Sequence, residues 1–349
     1  MKPLGWDTLD WLALDRLRET FLAAKPGGGT YWNSLNDLTS YDFTYAQRIG
    51  WKWDAVLREL KLRGWSPPAG PLLDWGCGSG IAGRCVLDFF GPASFGKLRV
   101  FDHSDLAMQF ASGRAQNVFP GLRVESAEPT RLAENEGIGT LLVSHVLNEL
   151  DEAGGRALRQ IIDRADCVLW VEPGTYADSR SLILMREALR EQFDVIAPCT
   201  HQAACGLLAE SNQRHWCHHF ARPPSGIMAD SNWVRFAQRA GIDLRSLPYS
   251  FLVLERRGLR ETIPGRVSPG CSRILGTPRL YKGFAKVLAC QSGGVTELEL
   301  QKREAPKVYK AFKDDSTSPL WRWTVEGMRI LDPRPAFEIQ ETPADETPN

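Results

Sequence analysis

Three cysteines and four histidines lie within 22 residues of this chain, in the segment CTHQAACGLLAESNQRHWCHHF from 199 to 220. The cysteines are Cys199, Cys205 and Cys217, with the spacing C-x5-C-x11-C. Thiolates and imidazoles are common protein ligands of zinc and of iron–sulfur clusters. Because the other five cysteines are spread over more than 200 residues, this concentration predicts a metal centre.

The spacing leaves two kinds of metal centre open. Zinc sites usually contain paired C-x2-4-C knuckles, and the segment has none. An iron–sulfur cluster needs four thiolates and tolerates looser spacing, so the fourth must come from elsewhere. Cys290 ends the apolar run KVLAC just before a glycine turn, where it could present that ligand and cross-link distant segments. A Cys3His zinc site with His201, His215 or His218 is the alternative.

A glycine loop forms a second candidate site. The run Asp74-Trp-Gly76-Cys-Gly78-Ser-Gly80 follows an apolar strand and opens a helix, whose N-terminus offers free N–H groups. The spacing D-x-G-x-G-x-G fits the dinucleotide fingerprint poorly and resembles the first motif of class I S-adenosylmethionine-dependent methyltransferases. Asp102 ends the next strand, 22 residues after Gly80, where a carboxylate can accept both ribose hydroxyls of an adenosyl group.

The fourth predicted strand ends in Ser-His145-Val-Leu-Asn148-Glu149-Leu, at the edge that faces the methyl donor in methyltransferases. We take His145, Asn148 and Glu149 as candidates for contact with substrate or cofactor. Asn148 and Glu149 could equally cap the next helix. Enzymes that methylate exocyclic amines of bases usually carry an Asn/Asp-Pro-Pro-aromatic run at this place, and the sequence has none. Glu172, after the fifth predicted strand, lies in a loop with the same ambiguity.

Hydrophobic periodicity divides the chain into four parts. Helical spacing is evident at 8–24 and 42–62, whereas short apolar runs alternate with helices after residue 71, which is typical of a mainly parallel sheet covered on both faces. We therefore expect an α/β, Rossmann-like class I methyltransferase fold with these parts: a helical cap (1–65), the methyltransferase-like domain with the cysteine-rich segment 199–220 (66–258), a small β-rich basic appendage (259–332) and a disordered tail (333–349).

The charge of the chain is balanced overall but uneven along its length. Lys plus Arg and Asp plus Glu both number 42, which argues against a protein that holds nucleic acid by net charge alone. Between Arg256 and Lys286, however, there are eight basic residues and a single acid, Glu261. Five further basic residues follow: Lys302, Arg303, Lys307, Lys310 and Lys313. The aromatic residues Tyr309 and Phe312 lie between them in the sequence. Such a face suits RNA phosphates and unpaired bases, although a solvated surface strip is the alternative.

The N-terminal residues are acidic with helical spacing, which does not predict a secretory signal. Apolar runs stay well short of the ~18 residues of a membrane span, so we expect no membrane partner. Cysteines in a reducing compartment are free or bind metals. We expect a cytoplasmic protein in a bacterium, or a protein of the mitochondrial matrix if a presequence has been removed.

Several of these motifs occur together in one known family. The sequence resembles the methyltransferase-like small-ribosomal-subunit assembly proteins of mitochondria and bacteria, in the order DWGCGSG, SHVLNEL, VLWVEPGT, C-x5-C…HWCHHFARP, YSFLVLER and GFAKVLAC. The resemblance covers about 40–310, and the cysteine pattern is its most specific part. The stretch between Cys205 and Cys217 is longer than the family pattern leads us to expect.

The resemblance implies an S-adenosylmethionine pocket and a 4Fe-4S cluster held by Cys199, Cys205, Cys217 and Cys290. It also implies association with the small ribosomal subunit and its rRNA, as a methyltransferase or as an assembly factor; DNA is not an expected partner. Two alternatives stay open: an RNA or small-molecule methyltransferase with a structural zinc site, and a binding protein whose fold has lost its cofactor.

Overall fold

A computed structural model describes residues 5–23, 29–127, 137–313 and 318–337 of the chain. The helices are α1 (Trp11–Ala23), α2 (Leu35–Phe43), α3 (Tyr45–Leu62), α4 (Ile81–Phe90), α5 (Asp105–Val118), α6 (Glu152–Ile162), α7 (Tyr176–Leu189), α8 (Ser231–Ala240) and α9 (Pro306–Lys313). The strands are β1 (Leu72–Trp75), β2 (Lys97–Phe101), β3 (Arg123–Ser126), β4 (Ile138–Ser144), β5 (Ala165–Pro173), β6 (Phe193–Ala197), β7 (His219–Ala221), β8 (Leu247–Arg256), β9 (Cys271–Leu280), β10 (Phe284–Gln291), β11 (Gly294–Gln301), β12 (Leu320–Glu326) and β13 (Arg329–Pro335). Within those ranges, every helix is too short or too polar to cross a bilayer.

The three N-terminal helices include a break that the sequence pattern did not predict. The helix expected over 42–62 begins at Tyr45, because Thr44 leaves the helical region at φ −124° and ψ −85° and its hydroxyl donates to the carbonyl of Ser40 at 2.7 Å. After this break, α3 buries apolar residues at helical spacing, namely Trp53, Val56, Leu57 and Leu60. This stripe packs α3 against the central sheet.

The central sheet has eight strands, and its main path runs β3-β2-β1-β4-β5-β8-β6. Neighbours from β3 to β5 are parallel, whereas β8 runs antiparallel to β5, β6 and β7. Successive residues of β1 enter different cores, with Leu72 facing the α3 side and Leu73 the α6 side. This arrangement confirms the predicted class I methyltransferase fold with helices at its N-terminus.

The strand order reverses between β1 and β4, which are neighbours in the sheet although β2 and β3 separate them in the chain. In open α/β sheets, the loops that leave adjacent strands in opposite directions at such a point form a ligand-binding crevice at the carboxyl ends. The glycine loop follows β1 and His145 follows β4, so the fold brings both predicted elements to this crevice.

The C-terminal part forms a closed five-stranded barrel in the order β10-β11-β13-β12-β9. All neighbouring strands are antiparallel except β11 and β13, which are parallel. Its apolar core includes Val287, Leu298 and Trp321, and Phe312 of α9 packs edge-on against Trp321 with ring centroids 5.4 Å apart. The sequence predicted β10 and β11 but not the other three strands.

The barrel ends later than the predicted boundary of the appendage. The tail expected to be disordered starts at 333, whereas β13 continues to Pro335. The rest of that prediction, from residue 338 onward, lies outside the described residues.

Candidate functional site

A cavity of about 760 Å³ lies at the carboxyl ends of β1, β2 and β4. The glycine loop and Phe101 form one side, and residues after β4 form another. Three tyrosines also line the cavity: Tyr31 between α1 and α2, Tyr41 of α2 and Tyr45 of α3. Small-molecule sites commonly enclose ~300–1,000 Å³, so the volume suits a ligand of nucleoside-cofactor size.

Backbone geometry explains two of the loop glycines. Gly76 has φ +72°, and a Cβ there would lie 2.6 Å from Cγ1 of Val146. The N–H groups of Gly76 and Cys77 both donate to the carbonyl of Phe101, at 2.8 and 2.9 Å, which ties the loop to β2. Gly78 has φ +50° and would place a Cβ with no described atom within 4 Å, on a residue that lines the cavity. Packing requires Gly76, whereas Gly78 opens the backbone to a ligand.

Two of the predicted cofactor residues lie beneath the loop rather than along the cavity. The Asp74 side chain is buried, and its Oδ2 accepts from the Gly83 N–H at 3.0 Å. Burial raises the pKa of Asp74 to about 7. Gly80, with φ +76°, contacts α5, where a Cβ would lie 2.8 Å from Cβ of Ala111. Both residues therefore position the loop.

Asp102 both lines the cavity and supports the glycine loop. Its Oδ2 accepts from the Gly78 N–H at 2.9 Å, and its Oδ1 accepts from the Ser104 N–H at 3.0 Å. Burial raises the pKa of this carboxyl, while the two backbone donors oppose that rise. The carboxylate is thus held in one orientation between two strands that end at the crevice.

His145 lies at the strained end of β4, with a positive φ of 57° that is rare outside glycine. Its N–H donates to the carbonyl of Val171 at 2.9 Å, and its Nε2 lies 3.3 Å from Nζ of Lys52. Burial lowers the pKa of both groups, that of Lys52 to about 7. The charge of Arg48 lowers the pKa of Lys52 further, and the charge of Lys52 lowers that of His145. Lys52 was not predicted from the sequence, because it lies between two tryptophans in α3 and belongs to no motif.

Asn148 and Glu149 also line the cavity. The alternative in which they cap the next helix is wrong, because Asp151 caps α6 by accepting from the Gly154 N–H at 2.8 Å. Burial raises the pKa of Glu149 to about 7, and a hydrogen bond from Tyr31 opposes this shift. The segment between α1 and α2, which carries Tyr31, thus contacts the loop after β4 at the cavity.

Glu172 holds the loop after β4 from below. Its Oε1 accepts from Nε1 of Trp170 at 2.7 Å and from the N–H groups of Val146 and Leu147 at 3.3 Å. Its Oε2 is buried without a partner in the described part of the chain. Burial raises the pKa of Glu172 to about 8, so the side chain is largely protonated at neutral pH.

Three of the four predicted ligand cysteines meet at the seam between the sheet domain and the barrel. Cys205, Cys217 and Cys290 pack in one apolar cluster. Cys199, the fourth, packs against the core on the α6 side of the sheet, and its Sγ contacts Arg186. Burial raises the pKa of Cys217, and the other three cysteines raise it further. All eight cysteines of the chain are free thiols.

Polar side chains of α7 and β8 hold the cysteine segment in place. Arg186 donates from Nε to Sγ of Cys199 at 3.3 Å and from Nη2 to the carbonyl of Ala203 at 2.8 Å. The hydroxyls of Ser179 and Ser250 donate to the carbonyl of Cys217, at 2.6 and 2.5 Å. The guanidinium places a buried positive charge beside the thiols, which favours thiolate ligands.

The histidines of the segment are divided between two environments. Nε2 of His201 lies 3.7 Å from Sγ of Cys290, so this predicted zinc ligand does adjoin the cysteines. His218 instead stacks on Trp216 with ring centroids 4.5 Å apart, and its Nδ1 lies 3.1 Å from the Trp216 carbonyl oxygen.

Of the other two histidines, one lies away from the cysteines and one beside them. His215 lies beside the Arg214 side chain, with 3.2 Å between Nε2 and the guanidinium. His219, which was not among the predicted ligands, places Nε2 3.6 Å from Sγ of Cys217. Across the described ranges, no group of three or more His, Cys, Asp or Glu side chains converges closely enough to hold a single metal ion.

A buried ion network joins the barrel to the sheet domain next to the cysteines. Glu59 of α3 accepts from Arg63 at 2.7 and 2.9 Å and from Arg273 of β9 at 2.7 and 2.9 Å. Arg63 also donates to the carbonyls of Ile196 and Pro198, just before Cys199. This network was not predicted from the sequence, because its members are far apart along the chain.

Most cations between Arg256 and Lys286 are engaged within the fold, which corrects the interpretation of this stretch as one basic face. Six of the eight donate to backbone carbonyls or pair with acids: Arg256, Arg257, Arg260, Arg273, Arg279 and Lys286. The later cations are different, because Lys302, Arg303, Lys307, Lys310 and Lys313 are all exposed.

Distant similarities to solved structures accompany this architecture. The chain is similar to magnesium protoporphyrin IX methyltransferase from Synechocystis PCC 6803 with bound SAM, at 13% identity over 73% of this chain and 99% of that chain, with a TM-score of 0.37. It is also similar to N-methyltransferase NodS from Bradyrhizobium japonicum WM9, in complex with S-adenosyl-l-homocysteine, at 12% identity over 62% and 90% of the two chains and a TM-score of 0.37. The fold assignment rests on the strand order rather than on these likenesses.

A sequence-family match is more extensive. No curated protein sequence matches the chain. A family model described as "Mitochondrial small ribosomal subunit Rsm22" matches residues 53–322, which include the glycine loop, the loop after β4 and all four predicted ligand cysteines. Because the match spans well over half of the sequence, this chain belongs to the mitochondrial small ribosomal subunit Rsm22 family.

Proposed function

We propose that this protein is an S-adenosylmethionine-binding factor that carries a 4Fe-4S cluster and acts on the small ribosomal subunit and its rRNA. The observation that carries the proposal is the packing of Cys205, Cys217 and Cys290 in one apolar cluster at the seam between the methyltransferase fold and the barrel, on and beside the segment that begins with Cys199. We propose that the association takes place where small subunits are assembled, in the mitochondrial matrix or the bacterial cytoplasm.

The cavity supports the cofactor part of the proposal. The turn at Gly76 and Gly78 brings bare backbone to the ligand, and Asp102 faces the same space with a fixed carboxylate. A carboxylate at this position can accept the ribose hydroxyls of an adenosyl group. His145, Asn148 and Glu149 lie along the cavity, where they could contact the methyl donor or the acceptor.

The donor set around the cysteines suits an iron–sulfur cluster better than a single ion. The thiols are buried or half-buried and free of disulfides, and Sγ of Cys199 accepts from the Arg186 guanidinium. A 4Fe-4S cluster takes four thiolate ligands, whereas structural zinc sites usually use paired C-x2-4-C knuckles, which the segment lacks. Cys199, Cys205, Cys217 and Cys290 would then hold the cluster.

Such a cluster would act as a structural link. Cys290 belongs to the barrel, whereas the other three cysteines belong to the segment between β6 and β8. Ligands that come from separate parts of a fold convert metal-binding free energy into folding free energy. We therefore propose that the cluster fixes the barrel on the methyltransferase domain and so presents both to the ribosomal subunit.

Co-sedimentation tests the proposed partner. Protein produced without oxygen and with ample iron is mixed with purified small subunits, and bound RNA is sequenced after crosslinking. The proposal predicts stoichiometric co-sedimentation of the wild-type chain and its loss in Cys199→Ser. A Cys199→Ser chain that stays folded and binds the subunit as well as wild type would contradict the structural role of the cluster.

Methyl transfer is tested in the same mixture with S-adenosylmethionine that carries a labelled methyl group. Label on the RNA would identify a methyltransferase, while subunit binding without label would identify an assembly factor. Either result is consistent with the proposed ribosomal role. A chain that binds neither subunit nor rRNA would remove that role.

The zinc alternative is favoured by one observation, the 3.7 Å approach of His201 Nε2 to Cys290 Sγ. A histidine beside the thiols could complete a Cys3His site. Metal analysis and absorption spectra of anaerobically prepared protein distinguish a zinc site from an iron–sulfur cluster. A zinc-loaded protein is colourless, whereas an iron–sulfur cluster absorbs broadly near ~400 nm.

A further inference from the structure

The barrel has the topology of an oligonucleotide-binding fold. Strands β9, β10 and β11 form an antiparallel meander, α9 follows β11, and β12 and β13 then close the barrel. The closing contacts are a parallel pairing of β11 with β13 and an antiparallel pairing of β12 with β9. This five-stranded arrangement is that of OB-folds, which bind oligonucleotides or oligosaccharides beside their second and third strands and two loops.

Those two loops lie at one end of this barrel. The first connects β9 to β10 through residues 281–283, and the second connects β12 to β13 through Gly327 and Met328. The Lys302 N–H donates to the carbonyl of Gly283 at 3.0 Å, which places the end of β11 beside the first loop. The Glu299 N–H donates to the carbonyl of Met328 at 2.7 Å, which places the second loop beside the same strand.

Aromatic side chains mark this end of the barrel. Tyr281 is 43% exposed and stacks on Phe284, with ring centroids 4.6 Å apart and an interplanar angle of 9°. The Tyr309 hydroxyl donates to the carbonyl of Tyr281 at 2.6 Å, and Nζ of Lys302 lies 5.3 Å from the centroid of the Tyr309 ring. Phe284 therefore fixes the orientation of an exposed ring, which is the geometry of a stacking platform.

Charge separates this end from the strand face. On the face of β9 to β11, Arg279 and Lys286 pair with Glu297 and Glu299, so their charges cancel. Around the loops, five cations are exposed, in the first loop, at the end of β11 and in α9: Lys282, Lys302, Arg303, Lys307 and Lys310. Two exposed acids oppose them, Glu304, which pairs with Arg303 and Arg329, and Glu326 beside the second loop. We call the five cations together with Tyr281 the basic rim.

We infer that the basic rim binds single-stranded RNA, with an unpaired base stacked on Tyr281 and the neighbouring phosphates on the cations. This inference rests on the proposed ribosomal function for the choice of RNA and assigns it a surface. Five clustered cations favour a polyanion over a neutral oligosaccharide. An exposed ring backed by a second ring suits an unpaired base, which a duplex does not offer.

The test measures binding of the full-length chain to a fluorescent single-stranded RNA of about 12 nucleotides, by anisotropy, beside a duplex of equal length. Tyr281→Ala is expected to weaken single-strand binding about tenfold, while Tyr281→Phe retains it. Lys302→Ala/Arg303→Ala is expected to reduce the slope of log affinity against log salt by about 1.4, the value for two contacts to a single strand.

A matched control comes from the same barrel. Arg322 and Arg334 are exposed, and Arg322 pairs in register with Cys271 at the opposite end of β9 from Tyr281. Arg322→Ala/Arg334→Ala is expected to leave affinity and salt slope unchanged. Thermal unfolding of each variant shows that it is folded.

Three results would overturn the inference: unchanged RNA affinity in Tyr281→Ala and the Lys302/Arg303 variant, equal loss in the Arg322/Arg334 control, or equal affinity for duplex RNA. Co-sedimentation of the same variants with small subunits keeps the two proposals apart. If the wild-type chain binds subunits but no single-stranded RNA, the basic rim assignment fails while the ribosomal function stands.

Discussion

The guanidinium of Arg273, on the first strand of the barrel, donates two hydrogen bonds to the carboxylate of Glu59 in α3, across 214 residues of sequence. The same carboxylate accepts from Arg63, whose other N–H groups reach the carbonyls before Cys199. One buried acid thus connects the helical cap, the cysteine segment and the barrel. Burial raises the pKa of Glu59, but the two arginines outweigh burial and hold it below its usual value.

Replacing this acid should therefore destabilise the whole fold. Glu59→Gln leaves two buried guanidinium groups without their counter-charge, and we expect a loss of about 3–5 kcal/mol in the free energy of unfolding. The exposed pair of Asp15 and Arg239 provides the control, since Asp15→Asn should cost less than about 1 kcal/mol. Urea denaturation followed by tryptophan fluorescence measures both. If Glu59→Gln and Asp15→Asn lowered the free energy of unfolding by equally small amounts, the Glu59 network would not hold the barrel on the sheet domain.

Two glycines of the loop should behave differently when alanine replaces them. Gly76→Ala meets Val146 at 2.6 Å as well as an unfavourable φ, and we expect a loss of about 3 kcal/mol in unfolding free energy. Gly78→Ala meets no described atom, so we expect a loss of only about 1 kcal/mol but about tenfold weaker binding of S-adenosylmethionine. Denaturation and calorimetry measure the two effects. The assignment of Gly78 to the ligand side fails if its variant binds normally.

Asp102→Asn should weaken cofactor binding and lower the free energy of unfolding by about 1–3 kcal/mol, because one backbone donor loses its acceptor. The amide cannot accept from both the Gly78 and Ser104 N–H groups and also from ribose hydroxyls, so we expect at least about tenfold weaker binding of S-adenosylhomocysteine by calorimetry. Asp105→Asn, on an exposed residue of the following helix, is the control and should bind as wild type does. Matching affinities in both variants would place the ribose elsewhere.

Glu172 predicts a particular dependence of stability on pH. Its pKa is about 8 in the folded protein and near 4.5 when unfolded, so between these values the folded state holds a proton that the unfolded state has released. Unfolding then releases a proton, and rising pH lowers the unfolding free energy by up to about 1.4 kcal/mol per pH unit from this group. Glu172→Gln, which mimics the protonated form, should flatten the decline between pH 5 and 7.

The control for this titration is the exposed Glu152→Gln at the start of α6. It should keep the wild-type slope. Parallel curves for wild type and Glu172→Gln would show that Glu172 is ionised throughout this range.

Local sequence patterns were sufficient for six of the eight central strands, all but β6 and β7, and for the two loops that approach the cavity, but not for Lys52. The strands β1, β4 and β5 are buried on both faces and contain short apolar runs, and the loop glycines are visible by spacing. The unusual cysteine density identified the segment that meets Cys290, although no pattern in the sequence measures that distance.

The missed elements have physical explanations. β9 contains Gly276 at φ +66° and Pro278, which resemble loop residues, but Gly276 is needed because a Cβ there would lie 2.9 Å from Nε2 of His218. α8 was not predicted although Asp230 provides a standard N-cap signal, accepting from Asn232 and Trp233. Contacts such as Glu59 with Arg273 depend on the tertiary fold and leave no local pattern.

The most direct test of the account is the iron and acid-labile sulfide content of the anaerobically purified chain and its cysteine variants. We predict about four of each per wild-type chain, with absorption near ~400 nm. Serine at position 199, 205, 217 or 290 should abolish the cluster, whereas Cys85→Ser and Cys271→Ser should retain it. A wild-type chain without iron, or equal loss of iron in the two control variants, would contradict the account.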